Sequence, residues 1–358
     1  MKIALITDTH FGARNDNLAF NDYFYKFWEE EFFPYIDKHD IKTVIHLGDV
    51  MDRRKYVSYK IAKDFRERFV LPLASRKLDV HMMVGNHDTY YKNTNEVNSL
   101  YELLGGPGEE KYPNIKCYDG PCTEEFDGVG IHFMPWINAE NYERAMRSIQ
   151  STYAQICMGH LELNGFEMHA GHFCEGGYPK EMFNKFDTVM SGHFHKKSDD
   201  GHIYYLGNTY QMTWSDYKET KGFHIFDTET RELEYILNPH TIFDKVYYDD
   251  TTTDYSDFNV LTLRDKFVKI VVVNKKDFYK FDRFIDRVLS ESGAHEVKIV
   301  EDFSELDASN VDDAIVENAE DTMTLLERYI DELDVDLDKK RLTSTMKSLY
   351  VEASDLEL

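Results

Sequence analysis

Five short groups of residues in this 358-residue chain combine side chains able to hold metal ions, and each closes or follows an apolar run. Asp8-Thr9-His10 comes after residues 2–7, Gly48-Asp49-Val50-Met51-Asp52 after 43–47, and Gly85-Asn86-His87-Asp88 after 80–84. Gly159-His160 ends the run 155–159, and Gly192-His193-Phe194-His195 follows 188–191. Taken singly, each has an ordinary explanation: a capping Asp with a surface His, a turn, a hairpin, a satisfied core histidine. His193 and His195 form a His-x-His pair, which puts two imidazoles on one face of a strand. Five such groups in this order, each at a strand end, point to one metal site. Its carboxylate, imidazole and amide donors, with no thiolate, suit Mn²⁺ better than Zn²⁺, and Mg²⁺ is the alternative.

The elements that must bring these groups together are legible from periodicity. Runs at 2–7, 43–47 and 80–84 read as buried strands, and 17–36 and 58–71 between them carry aromatic and aliphatic residues at helical spacing. Alternation of this kind implies a parallel sheet covered by helices, with ligand groups converging at the carboxyl ends of its strands. After about residue 112 the texture becomes short strands with few helices: 128–135, 155–159, 188–191, 203–206, 222–226 and 233–237. We expect all six in a second sheet stacked on the first, giving a layered α/β sandwich over 1–238. Residues 238–253 read as a junction, and 266–300 as a small β-α-β unit within a separate domain, 239–300. Residues 301–321 read as an acidic linker. In 322–358 two short helices carry apolar stripes: Leu326, Tyr329, Ile330 and Leu333, then Leu342, Met346, Leu349 and Tyr350.

The net charge of −25 is uneven: residues 301–358 hold 18 acidic and 5 basic side chains. A protein that binds nucleic acid by itself usually carries a basic footprint. If nucleic acid is the substrate, attraction must come from bound metal, a partner or local groups such as Arg53-Arg54-Lys55 and Tyr90-Tyr91-Lys92. These suit phosphate contact and base stacking, or form a solvated loop. The four cysteines, 117, 122, 157 and 174, contain no C-x-x-C pair and read as reduced thiols. With no signal-like start and no long apolar run, we expect a cytoplasmic protein that does not touch membranes.

The order D-x-H, G-D-x-x-D, G-N-H-D, G-H, G-H-x-H resembles the calcineurin-like metallophosphoesterase superfamily over residues 1–238. That resemblance implies an α/β/β/α metallophosphoesterase sandwich holding two divalent ions. Asp8, His10 and His195 would hold one, Asn86, His160 and His193 the other, and Asp49 would bridge them. His87 would act beside the metals as a catalytic acid, with Asp52 as its orienting partner and the nearby charge favouring its protonated form. For Asp52 a simple turn or cap role is the other reading. Within the superfamily the chain looks like the SbcD-type DNA repair nucleases, especially their T-even-type phage branch, the nuclease subunits of recombination complexes. The run 159–166, Phe133-Met134-Pro135-Trp136 and Phe226-Asp227-Thr228-Glu229-Thr230 carry this likeness. Archaeal and eukaryotic relatives have His where Asp52 stands, and the bacterial and phage branch has Asp.

The likeness implies an exonuclease on double-stranded DNA ends and an endonuclease on single strands, active in recombination, replication and break repair in the host cytoplasm. It also implies a small DNA-capping domain and C-terminal helices docked on an SMC-like P-loop ATPase with a long coiled coil. A homodimer within a heterotetramer would form through the early helices. The other readings are a cyclic-nucleotide phosphodiesterase, a protein phosphatase, or a scaffold that has lost catalysis. His169 and His172 are expected at the surface without a role.

Overall fold

The structure, a computed structural model, describes residues 1–169 and 172–301. The acidic linker beyond residue 301 and the apolar stripes from Leu326 to Tyr350 lie outside the described residues.

Strands β1 (Lys2–Ile6), β2 (Thr43–His46), β3 (Asp79–Met83) and β4 (Ile115–Tyr118) run parallel in that order in the first sheet. β5 (Cys122–Phe126) turns into β6 (Val129–Met134), which pairs in parallel with β7 (Ile156–His160) to begin the second sheet. A small hairpin of β8 (Glu167–His169) and β9 (His172–Phe173) precedes β10 (Thr188–Gly192), which lies parallel to β7. β11 (Ser198–Asp199) and β12 (Ile203–Tyr205) complete that sheet. β13 (Gly222–Asp227) and β14 (Leu233–Leu237) then return to the first sheet, with β13 antiparallel to β1.

This return corrects the expectation that 222–226 and 233–237 join the second sheet. β13 is buried along nearly its whole length, as a strand between two neighbours must be, and its periodicity cannot say which sheet supplies them. Alternation sets the layers. Ala4, Ile6, Val44, Val80 and Met82 face the outer helices, while Ile3, Leu5, Ile45 and Met83 meet Ile131, Phe133, Met158 and Met190 of the second sheet. The opposite face of the second sheet packs on the helix Tyr142–Ser151 through Ala145 and Ile149. That helix is one that the reading of residues after 112 as mostly strands passed over.

The helical stretch 18–38 starts at Asn17, whose side chain accepts the N–H groups of Ala19 and Phe20. It widens to a π-turn over Trp28–Phe32, where the Phe33 N–H reaches the Trp28 carbonyl, just before Pro34. The stretch 59–75 repeats the device over Phe65–Val70, just before Pro72. Proline has no N–H to give the residue four positions back, which favours this local widening.

The third sheet holds β15 (Phe243–Asp249), β16 (Phe267–Asn274) and β17 (Glu296–Val300), all parallel, with the helix Phe278–Glu291 packed through Phe281, Phe284 and Val288. Much of the expected junction 238–253 is therefore strand. The base of this unit shares the main core: Phe20 lies 5.8 Å from Phe243 and 4.9 Å from Phe267 between ring centres.

Candidate metal centre

Each group of candidate ligands sits just beyond, or at, the carboxyl end of its strand, where β1, β2 and β3 of one sheet face β7 and β10 of the other. The sheets approach closely here because of glycine. A Cβ on Gly192 would stand 2.0 Å from Thr7 Oγ1, on Gly85 2.2 Å from Asp49 Oδ1, and on Gly48 2.5 Å from His160 Nδ1. The glycines before Asp49, Asn86 and His193 leave the room that neighbouring side chains occupy. Asp8, His10, Asp49 and His193 have φ of 51°, 41°, 56° and 84°. Non-glycine residues rarely adopt this region, and such outliers gather at functional sites.

The donors converge in three overlapping sets: Asp8, His10 and His195; His10, Asp49 and His87; Asp49, His160 and His193. His10 Nε2 lies 3.1 Å from His195 Nε2, 3.6 Å from Asp49 Oδ2 and 4.0 Å from Asp8 Oδ1. Asp49 Oδ2 is also 3.2 Å from His160 Nε2. The Asn86 amide oxygen lies 2.9 Å from both His160 Nε2 and His193 Nδ1. The seven predicted ligands therefore share one centre.

The partners behind them fix orientation. His160 donates Nδ1–H to the Leu47 carbonyl at 2.8 Å, leaving Nε2 as its donor toward the centre. The His193 N–H reaches both Asp8 carboxylate oxygens at 3.1 Å, and Thr7 Oγ1 donates to Asp8 at 2.6 Å. Burial works against charge on Asp49, yet His160 and His87 hold its carboxyl well below the usual range. Burial likewise opposes a charged His160, but Asp49 beside it raises the imidazole to about 9. Burial, then the His160 cation, pushes His193 well down.

Facing lone pairs and buried carboxylates at about 3 Å, the separation of neighbouring ligands each about 2.1 Å from one ion, repel unless a cation or shared proton lies among them. The donor set fits divalent cations.

His87 and Asp52 are in contact through the main chain. His87 donates Nδ1–H to the Asp52 backbone carbonyl at 2.6 Å. The Asp52 carboxylate lies 3.4 Å from Nδ1 of His10. Asp88, given no role from sequence, is fully buried and accepts the N–H groups of Val50, Met51 and Gly85 and the Ser99 hydroxyl. It ties the loops carrying Asp49 and Asn86 together, and its place in G-N-H-D was the available signal.

A cleft of about 230 Å³ opens over the centre, and Arg54, His87, Trp136 and Glu162 help to line it. The Trp136 ring stands 5.2 Å from that of His193. Of the expected substrate contacts only Arg54 reaches the cleft wall. Arg53 pairs with Asp16 at 3.4 Å and lies over Tyr56, and Lys55, Tyr90 and Lys92 are exposed outside it. His172 is exposed. The four cysteines form no disulfide.

The family model for Calcineurin-like phosphoesterase matches residues 1–197. Exonuclease subunit 1 of Enterobacteria phage T4 is 33% identical over 358 residues, spanning 99% of this chain and 100% of that protein. The D subunit of the nuclease SbcCD from Staphylococcus epidermidis is 24% identical over 271 residues, 65% of this chain and 67% of that protein. Among solved structures, an archaeal phosphodiesterase aligns with a TM-score of 0.32 at 16% identity, covering 66% of this chain and 100% of that one.

Proposed function

Because this chain belongs to the calcineurin-like phosphoesterase family, we propose that the seven-ligand centre hydrolyses phosphodiester bonds of DNA with two divalent ions. The observation that carries this reading is the convergence of Asp8, His10, Asp49, Asn86, His160, His193 and His195 beneath one cleft. Two cations, when bound there, supply positive charge against the phosphodiester and activate water for attack.

The chain's own residues do the rest. Asp8, His10 and His195 form one ligand set, Asn86, His160 and His193 the other, and Asp49 faces both. With Nδ1 tied to a carbonyl, His87 carries its transferable proton on Nε2, as a catalytic acid for the leaving oxygen requires. Arg54 contacts phosphate in the cleft. Mn²⁺ is the ion that this donor chemistry favours.

The relatives' names, an exonuclease subunit and a nuclease subunit, support cleavage of nucleic acid within a multi-subunit assembly, and we take DNA ends as the substrate and an SMC-like ATPase as the partner. On this reading 1–238 cut, 239–300 cap the DNA and the apolar stripes of 322–358 dock on the ATPase coiled coil. Two nuclease subunits pair within a heterotetramer in the cytoplasm. No helix among the described residues is long and apolar enough to cross a membrane.

The test is Mn²⁺-dependent cleavage of linear double-stranded DNA, single-stranded DNA and bis-p-nitrophenyl phosphate, with His87→Ala alongside. We expect cleavage of all three substrates, and a drop of roughly 10²-fold or more for the variant with ion binding retained. Hydrolysis of the small ester with none of any DNA would favour a cyclic-nucleotide or protein phosphoesterase. Unchanged turnover would remove His87 from the mechanism.

A further inference from the structure

The loop between β12 and β13 touches three parts of the molecule at once. At its far end Lys221 is buried, and its ammonium donates to the His195 backbone carbonyl at 3.0 Å. The same ammonium lies 2.5 Å from Asp216 and 3.0 Å from Glu219, both in the cleft wall. These carboxylates overcome burial and raise Lys221 above its ordinary value.

The loop is internally braced. Asp216 accepts the N–H groups of Met212 and Thr213 while it holds Lys221. At its near end Trp214 leaves the cleft for the small domain. Its ring lies 4.6 Å from Phe243, and Lys269 of β16 stands 4.2 Å from the ring centre. Lys269 is itself buried, so this cation–π contact is desolvated, where it is worth most.

We propose that residues 213–221 form a positioning arm through which the small third-sheet domain holds His195, with Trp214 as its anchor and Lys221 as its grip on the ligand. Neither residue touches substrate or ion; both act through the backbone of the His193–His195 turn. A rearrangement of the small domain would reach the metal centre by this arm, changing the affinity of the ion that His195 holds more than that of the other.

The proposal rests on His195 being a metal ligand, and Mn²⁺ titration calorimetry on the full chain separates the two ideas. The parent protein should take up two ions. Lys221→Met should weaken one of them about 10- to 100-fold, the usual cost of losing an outer partner of a ligand, with Lys221→Arg recovering part of it. Trp214→Leu and Lys269→Met, remote from the ions, should weaken that same ion by a smaller factor, and the Trp214→Leu/Lys221→Met double variant should lose less than the product of the single losses. If Lys221→Met fails to fold, the two remote variants decide. Affinities within about 2-fold of the parent in the remote variants, or equal weakening of both ions, would overturn the arm, while a parent that takes up no ion would instead overturn the metal reading.

Discussion

Asp52 offers two groups to two histidines, its carbonyl to His87 and its carboxylate to His10. Asp52→Asn keeps the first contact and removes the charge of the second. Half-saturating Mn²⁺ should then rise about 10- to 100-fold, with turnover at saturating ion little changed, as expected when a ligand loses its orienting carboxylate. A fall in turnover with unaltered metal dependence would instead favour Asp52 acting on His87, as the resemblance implies. Asp88 is the other carboxylate whose work is structural. Asp88→Ala strands three buried backbone N–H groups at about 1–3 kcal/mol each, so we expect at least ~3 kcal/mol of lost stability in urea unfolding. A loss below ~1 kcal/mol would show that water reaches those groups. The candidate ligands were legible because they cluster at strand ends, with Asp49, Asn86, His160 and His193 directly after a glycine. The orientation of Asp52 was not, since it depends on a loop conformation that motif spacing does not encode.

The two outer helical stretches lie side by side, cross-linked by Arg68 to Glu29 and Asp22 and by Arg76 to Asp37. These pairs are largely exposed, and exposed pairs typically contribute about 0.2–1 kcal/mol each. Arg76→Ala should cost no more than about 1 kcal/mol in the same urea assay, a sharp contrast with Asp88→Ala. A loss matching that of Asp88→Ala would mean that the pair holds the helices in register. Periodicity placed the core-facing stretches well because Phe20, Phe24, Phe27, Trp28 and Phe32 are all buried on one face. It placed β13 in the wrong sheet because strand partners are chosen by tertiary packing, and Phe223, Ile225 and Phe226 suit either neighbour.

At the scale of the whole molecule, buried neutral histidines set an acid limit. Burial, with Lys185 nearby, pulls His132 down to about 4, and burial, with Lys197, pulls His224 to about 3. In the unfolded chain both titrate near 6.5. Above that pH neither state binds the proton and nothing is lost. Below it the unfolded chain takes up protons that the folded one refuses, so stability falls as pH drops from 6.5 toward 4. The slope is about 1.4 kcal/mol per pH unit for each histidine. Urea midpoints at pH 7.5, 5.5 and 4.5, with chelator present, check this, and His132→Gln should flatten the slope. A midpoint that does not move over this range would contradict the burial argument.

The pairing of β1 with β13 has a consequence for synthesis on the ribosome. Residues 2–5 find their hydrogen-bonding partners at 224–227, and the terminal amine of Met1 reaches Thr228 at 2.6 Å. Until those late residues leave the exit tunnel, the first strand has an open edge, and an open edge invites pairing with other chains. Nascent chains arrested near residue 200 should therefore be degraded or captured by chaperones, and those released past residue 240 should resist protease.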